Sequence, residues 1–151
     1  GQEQYIFSKG RCQMCATRTY KQPKKTRSKA KTLKSEVLTP FFDKAISEAA
    51  ENPFCAETGE FISDLSRWNI AHIFNKSRYE SIMVNELNYM LYSREAHTEF
   101  DHYLDRMDFE GLEKHFPNSW GKVCLKVKEL LPLTLESGNL KDKFEEYLKE
   151  K

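Results

Sequence analysis

The sequence has no long hydrophobic run. No apolar segment approaches the roughly 20 residues that cross a bilayer, and the N-terminus lacks the apolar core of a secretory signal. Glycine is scarce, with 6 residues in 151, and neither a glycine-rich phosphate loop nor an internal repeat is present. We therefore expect a cytoplasmic protein with no membrane partner, built as one compact domain with appended segments.

Acidic residues are nearly absent from residues 1–34. This segment has ten Lys and Arg residues against the single acid Glu3, a net charge of +9, so the rest of the chain carries −8. Its basic block has almost no apolar residues and cannot form a packed core. It is either a solvated loop or an arm that binds phosphates, since cations that neutralise backbone phosphates release counterions. As an arm, it would contact nucleic acid through Lys24, Lys25 and Arg27.

Cysteine is also scarce, with 4 residues. Cys12 and Cys15 form a Cys-Gln-Met-Cys sequence after Gly10, which is typical of one knuckle of a zinc site. A redox pair is the alternative, but nothing around it has the βαβ pattern of thioredoxin-like motifs. We predict a structural zinc bound by Cys12, Cys15 and Cys55. Cys124 has apolar neighbours typical of a small buried residue, which disfavours it as the fourth ligand.

Residues 35–51 have the periodicity of an amphipathic helix. Pro40 is predicted in the first turn, with Ser35 as the cap, and Asn52-Pro53 would end the helix. We expect this segment, 35–52, to pack across the back of the core in a structural role. Its apolar residues recur at spacings of three and four: Val37, Leu38, Phe41, Phe42, Ala45, Ile46 and Ala49.

Residues 55–101 contain the side chains best suited to chemistry. His72 ends an apolar strand within Ala-His-Ile. We predict a hairpin that pairs Phe61-Ile62 with strand 68–74, and strand alternation places His72 on one face with Trp68 and Ile70. A lone histidine in an apolar strand is more often a hydrogen-bonded core residue, but the asparagine and histidine downstream favour a functional role.

His97 and Asp101 lie four residues apart on a predicted helix, Arg94 to Leu104. Residues at this spacing project from one face, so the imidazole and the carboxylate can reach one ion together. A nitrogen and oxygen pair suits magnesium, manganese or zinc without selecting among them. An ordinary pair on a helix surface is the alternative.

Ala71-His72-Ile73, Asn88, His97 and Phe100-Asp101 together resemble the HNH nuclease motif, in the branch with Ala-His-Ile, an asparagine and His-x-x-Phe-Asp. The resemblance covers about a third of the chain. It implies an α+β fold with a small ββα-metal core, similar to a treble clef, and metal-dependent hydrolysis of DNA. It also implies a divalent cation (Mg, Mn, Ni or Zn) held by His97 and Asp101, His72 as general base, and Asn88 as the residue that keeps the site in shape.

The chain departs from the family pattern at two places. Many relatives have an Asp or His ligand immediately before the strand histidine, where this chain has Ala71. Cys55 begins a family zinc knuckle, but the other three cysteine positions are occupied by Thr58, Ser93 and Ala96. The family's usual structural zinc is therefore in doubt, and Cys55 is either free to join Cys12 and Cys15 or simply buried.

Two further positions follow from the motif. Lys76 and Arg78, in the loop after the strand, are predicted to hold phosphates or developing negative charge, with ordinary surface charge as the alternative. Asn88 precedes His97 by nine residues, close to the family's separation, so it is the motif asparagine. We expect its amide to bridge loop backbone groups or to orient the base histidine, and Asn85 to cap a helix.

The chain is thus divided into a basic arm with the Cys-x-x-Cys knuckle (1–34), a packing helix (35–52), a nuclease core (53–104) and a helical cover (105–151). The cover is predicted to have helices over 109–116, 123–131 and 140–148, and residues 130–133 could form a partner surface. The leading hypothesis is a DNA endonuclease similar to phage-borne enzymes. The alternatives are a catalytically inactive zinc-containing module that binds nucleic acid, and a protein-interaction or toxin-like effector domain.

Overall fold

The computed structural model describes residues 6–7, 11–12 and 29–151, with side chains from residue 34 onward. The chain divides into two units, residues 1–32 and 33–151. In the first, β1 (Ile6–Phe7) and β2 (Arg11–Cys12) form an antiparallel hairpin. The side chain of Cys12, and the predicted Cys15, Lys24, Lys25 and Arg27, lie outside the described residues.

The second unit combines helices with one small sheet, as the predicted α+β class requires. Three short 3-10 turns, at Arg67–Asn69, Glu80–Ile82 and Leu131–Leu133, connect its elements. No helix in the described ranges combines the length and the apolar composition that a bilayer crossing requires. The helices and strands are α1 (Lys29–Ala49), β3 (Ile70–His72), β4 (Tyr89–Leu91), α2 (Arg94–Asp105), α3 (Phe109–His115), α4 (Trp120–Leu130) and α5 (Asn139–Glu150).

The sheet pairs β3 with β4 in antiparallel register, with Ala71 opposite Met90. The predicted pairing of β3 with Phe61-Ile62 is wrong, because Phe61 forms only an isolated bridge to Phe54. Each strand has three residues, too few for alternation to identify its partner. The partner of so short a strand is determined by the loop that connects the two strands. The loop between β3 and β4 spans residues 73–88.

The three C-terminal helices are confirmed as α3, α4 and α5, close to their predicted ranges. They share one core with the strands and α2. Phe109 of α3 stacks on Phe144 of α5 with ring centroids 4.4 Å apart, and burial of each such ring contributes about 1.5–3 kcal/mol. The buried aromatic residues of this core are Phe74, Tyr79, Tyr92, Phe100, Phe109, Phe116, Trp120 and Phe144.

Glu57 ties the segment before β3 to the N-terminus of α4. Its Oε2 accepts hydrogen bonds from the backbone N–H and the hydroxyl of Ser119, at 2.9 and 2.6 Å. The Ser119 hydroxyl in turn accepts from Tyr92 at 2.8 Å. Burial raises the pKa of Tyr92, so its hydroxyl remains a donor. These bonds fix the helical cover against the strands.

Helix α1 is confirmed, but its place in the fold differs from the prediction. It begins at Lys29, so Ser35 is not its cap and Pro40 lies inside it, where proline removes one helical hydrogen bond. Its apolar face buries Phe41 and Phe42 against Ile70 of β3. Both rings lie beside His72. Helix α1 therefore covers the sheet face on which the candidate site lies, and not the back of the core as predicted.

Candidate active site

A cleft of about 570 Å³ lies between α1, β3 and α2. It brings together four residues singled out from the sequence, namely His72, Lys76, His97 and Asp101. Its remaining lining includes Phe42, Arg67, Trp68 and Asp105.

His72, the last residue of β3, is held in one orientation. Its Nε2 lies 3.2 Å from the carbonyl oxygen of Met83. Because a carbonyl can only accept, Nε2 carries the proton and Nδ1 has a free lone pair. Burial, with Phe41 and Phe42 against the ring, and the nearby charge of Lys76 lower the pKa of His72 to about 4. The imidazole is therefore neutral at pH 7 and can accept a proton.

His97 lies on α2, a helix capped by the Ser93 hydroxyl, which accepts from the Ala96 N–H at 3.3 Å. Its Nδ1 is 2.6 Å from the carbonyl oxygen of Trp68, and its Nε2 is 3.2 Å from Oδ2 of Asp101. Burial lowers the pKa of His97, but the hydrogen bonds to Asp101 and to the Trp68 carbonyl outweigh it, so the pKa is raised. The two side chains thus form a coupled pair at the cleft.

The His97 and Asp101 pair fits a divalent cation. Ligand atoms about 2.1 Å from one ion, at an angle near 100°, are separated by about the 3.2 Å found here. The bond from Nδ1 to the Trp68 carbonyl supports the ring as in many metal-binding histidines. Nε2 donates its proton to Asp101, and a cation held between the two side chains would replace that proton. Within the described part of the chain, no three His, Cys, Asp or Glu side chains lie close enough together to hold one metal ion. Hard cations commonly complete their coordination shells with water or substrate oxygens.

Asp105 was missed by the sequence reasoning. It follows Asp101 by one helical turn and lines the same cleft. The spacing of four residues that selected His97 and Asp101 also selects Asp105, so the signal was present. This carboxylate adds a second negative charge to the α2 side of the cleft.

Asn88 is fully buried and shapes the loop between the strands. Its Nδ2 donates to the carbonyl oxygens of Phe74 and Ile82, each at 3.1 Å, and its Oδ1 accepts from the N–H of Phe74 at 2.8 Å. Of the two roles considered for this amide, the structure has the bridge between loop backbone groups. His72 takes its orientation from Met83 instead.

Asn85 is not a helix cap, and that prediction is wrong. No helix begins there, and its Oδ1 accepts from the N–H of Leu87 at 2.9 Å in the turn before β4. Asparagine side chains form this turn as readily as they form a cap, which explains the error.

The two predicted phosphate-binding cations separate in space. Lys76 lines the cleft, with its ammonium 5.0 Å from the ring centroid of Phe42. Arg78 does not line the cleft, because its guanidinium packs against Gly138. The two residues are so close that a Cβ atom added to Gly138 would lie 2.9 Å from Nε of Arg78. Of these two cations, Lys76 is therefore the one positioned to contact a ligand in the cleft.

Ala71 does not face the cleft. Its side chain is fully buried in the core opposite Met90. The position where many HNH proteins carry a metal ligand thus belongs to the packing of the sheet in this chain.

Cys55 is the first residue of the altered zinc knuckle, and it is buried. Burial alone would raise the pKa of its thiol. Hydrogen bonds from Thr58 and from the backbone of Ser93 and Glu57 have the larger effect, so the pKa is lowered. Two of the three lost cysteine positions, Thr58 and Ser93, are therefore gathered around the remaining sulfur. In contrast, burial raises the pKa of Cys124 to about 11.

The turn before β3 contributes two residues that the sequence did not single out. Asn69 is buried, with its Nδ2 donating to the Tyr92 carbonyl at 3.0 Å and its Oδ1 accepting from the Ser66 N–H at 3.0 Å. Trp68 is 71% exposed. The strand was predicted to begin at Trp68, but Trp68 and Asn69 lie in the 3-10 turn Arg67–Asn69, and the strand is Ile70–His72.

No family model matches this chain, and searches of curated proteins and of solved structures likewise find no match.

Proposed function

We propose that this protein is a metal-dependent endonuclease of the HNH type, with a ββα-metal core, that hydrolyses phosphodiester bonds in DNA. The observation that carries the proposal is the cleft in which a neutral His72 and the His97 and Asp101 pair lie together. A base beside a cation site is the minimal equipment for metal-assisted hydrolysis.

His72 would act as the general base. Its Nδ1 would take the proton from the water that attacks phosphorus, while the bond from Nε2 to Met83 keeps the ring in place. With a pKa of about 4, the ring is unprotonated throughout the neutral range. The same shift makes the ring a weaker base than an ordinary histidine, because proton transfer is most efficient when the pKa lies near the working pH.

His97 and Asp101 would hold the divalent cation, Mg, Mn, Ni or Zn. The bound cation supplies Lewis-acid stabilisation of the charge that develops on the phosphate and the leaving oxygen. To bind the cation, Nε2 of His97 would have to give up the proton that it donates to Asp101, while the Nδ1–H bond to Trp68 keeps the ring in place.

Lys76 would hold a substrate phosphate at the cleft, and Asn88 would position the loop that presents it, through its bonds to Phe74 and Ile82. Further phosphate contacts by Lys24, Lys25 and Arg27, and a structural zinc bound by Cys12, Cys15 and Cys55, remain part of the proposal. So does a cytoplasmic location.

A second candidate function is a DNA-binding module without catalysis. The buried Ala71 favours it, since many HNH proteins place a metal ligand at that position and this chain has a core side chain there. The retention of His72 and of the His97 and Asp101 pair in one cleft favours the enzyme.

Cleavage of supercoiled plasmid by the purified protein tests the proposal, with Mg²⁺, Mn²⁺, Ni²⁺ or Zn²⁺ and with EDTA. His97→Ala is compared with His102→Ala, a control on the same helix that is exposed and outside the cleft. We expect nicking or linearisation with at least one cation, lost with EDTA and in His97→Ala but kept in His102→Ala. Salt-sensitive DNA binding with no cleavage in any cation would favour the binding module instead.

A further inference from the structure

Trp68 lines the cleft and has an exposed side chain. The side chain is 71% exposed although indole is among the largest apolar groups and dominates the cores and interfaces in which it is buried. The residue lines the cleft with His72 and His97, and its backbone carbonyl holds the His97 ring. The backbone of this residue thus holds the candidate metal ligand, while its side chain is mostly exposed.

Two cations lie around Phe42 in the cleft that Trp68 lines. The guanidinium carbon of Arg67 is 5.3 Å from the ring centroid of Phe42, and the Lys76 ammonium is 5.0 Å from the same centroid. Arg67, Trp68 and Lys76 all line the cleft. An exposed aromatic face beside cations is the arrangement with which proteins bind single-stranded nucleic acid, because bases stack on the ring and phosphates meet the cations.

We propose that Trp68 stacks on an unpaired base and that the strand bound in this cleft is single-stranded DNA at the cleavage point. This rests on the proposed function and names the substrate of the same site. A base within a continuous duplex has its faces covered by its neighbours and offers only its edges. An indole can therefore stack without distorting the DNA only where a base is unpaired, as in a single strand, a bulge or a flap, since insertion into a duplex requires unstacking.

Intrinsic fluorescence reports on this contact directly. The chain has two tryptophans, and the other, Trp120, is 4% exposed and packed in the core. The full chain, in EDTA to prevent cleavage, is titrated with a short oligo(dT) and with a fully paired duplex of equal phosphate number, at one salt concentration. We expect quenching by the oligo(dT) that the duplex does not reproduce. Equal quenching by both, or none by either, overturns the proposal.

Variants separate the side chain from the backbone. Trp68→Ala removes the indole but keeps the carbonyl that holds His97, and Trp68→Phe keeps an aromatic face. By anisotropy of labelled DNA, we expect Trp68→Ala to weaken binding of the single strand by at least about five-fold, the loss of one stack, with duplex binding unchanged and Trp68→Phe in between. An equal loss for both DNAs, or no loss, contradicts the proposal.

The same proteins distinguish failure of this inference from failure of the nuclease proposal. If oligo(dT) quenches the fluorescence of Trp68 and no cation supports cleavage, the stacking proposal is supported and the proposed nuclease function is wrong. If the protein cleaves single strands and duplexes at equal rates, and Trp68→Ala does so too, the nuclease stands and stacking falls.

Discussion

The ring of His97 is held by the backbone carbonyl of Trp68, with Nδ1 2.6 Å from that oxygen. This bond joins the turn before β3 to helix α2, two elements that come from different parts of the sequence. It fixes one nitrogen of the imidazole and leaves the other beside Asp101, 3.2 Å away. The geometry of the candidate cation site therefore depends on the turn as much as on the helix.

Asp101→Asn tests the coupled pair. The hydrogen bond to Asp101 is the largest of the effects that raise the pKa of His97, so we expect that pKa to fall in the variant, measured by NMR titration in EDTA. We also expect Mn²⁺ affinity, measured by calorimetry, to fall by about tenfold or more. Glu99→Gln, on the same helix but outside the cleft, is the matched control. An unchanged His97 pKa and unchanged affinity would show that the two side chains do not act together.

Asn88→Ala tests the role of the buried amide. The substitution leaves the N–H and the carbonyl oxygen of Phe74 without partners, while the Ile82 carbonyl still accepts from the Asn85 N–H, and unsatisfied buried groups cost about 1–3 kcal/mol each. We expect a loss of about 2–4 kcal/mol in the free energy of unfolding, measured by urea denaturation. Asn85→Ala loses a single bond to Leu87 and should cost about 1 kcal/mol or less. Equal losses in the two variants would contradict this assignment.

His72 makes the stability of the protein depend on pH. Its pKa of about 4 in the fold lies below the ordinary 6.5, so between these values the unfolded chain binds the extra proton. The contribution is fully present above pH 6.5 and is lost as the pH falls towards 4, by at most about 3 kcal/mol. Urea denaturation in EDTA should show a smaller loss over this range for His72→Gln than for wild type. Parallel pH profiles would indicate that burial against Phe41 and Phe42 does not shift this group.

The helices could be predicted because their signal is local. The predicted helix Arg94 to Leu104, with His97 and Asp101 four residues apart on one face, corresponds to α2, and the three C-terminal helices were also predicted. A helix closes its hydrogen bonds within four residues, so its sequence contains most of what determines it.

The strand pairing and the position of α1 could not be predicted in this way. The partner of β3 is β4, not Phe61-Ile62, and the choice depends on how Asn88 folds the loop between the strands. The apolar stripe of α1 was recognised, but a stripe does not say which surface it covers. That surface is the sheet face with Ile70 and His72, which places Phe41 and Phe42 against the candidate base.

The site was partly visible in the sequence for the same reason. Residues related by helical or motif spacing, His97, Asp101 and Asn88, could be selected from the chain alone. The exposure of Trp68 and the separation of Arg78 from Lys76 depend on a turn and on packing against Gly138. Neither has a sequence pattern of its own.

The most direct test of the account is the single-turnover rate of DNA cleavage by His72→Ala, with Mn²⁺ binding measured on the same sample. Loss of a general base typically costs 10²–10⁴-fold. We therefore expect the variant to bind Mn²⁺ like wild type and to cleave at least about 100-fold more slowly, while His102→Ala cleaves normally. A His72→Ala protein that binds Mn²⁺ and cleaves within a few-fold of wild type would contradict the assignment of His72 as the base.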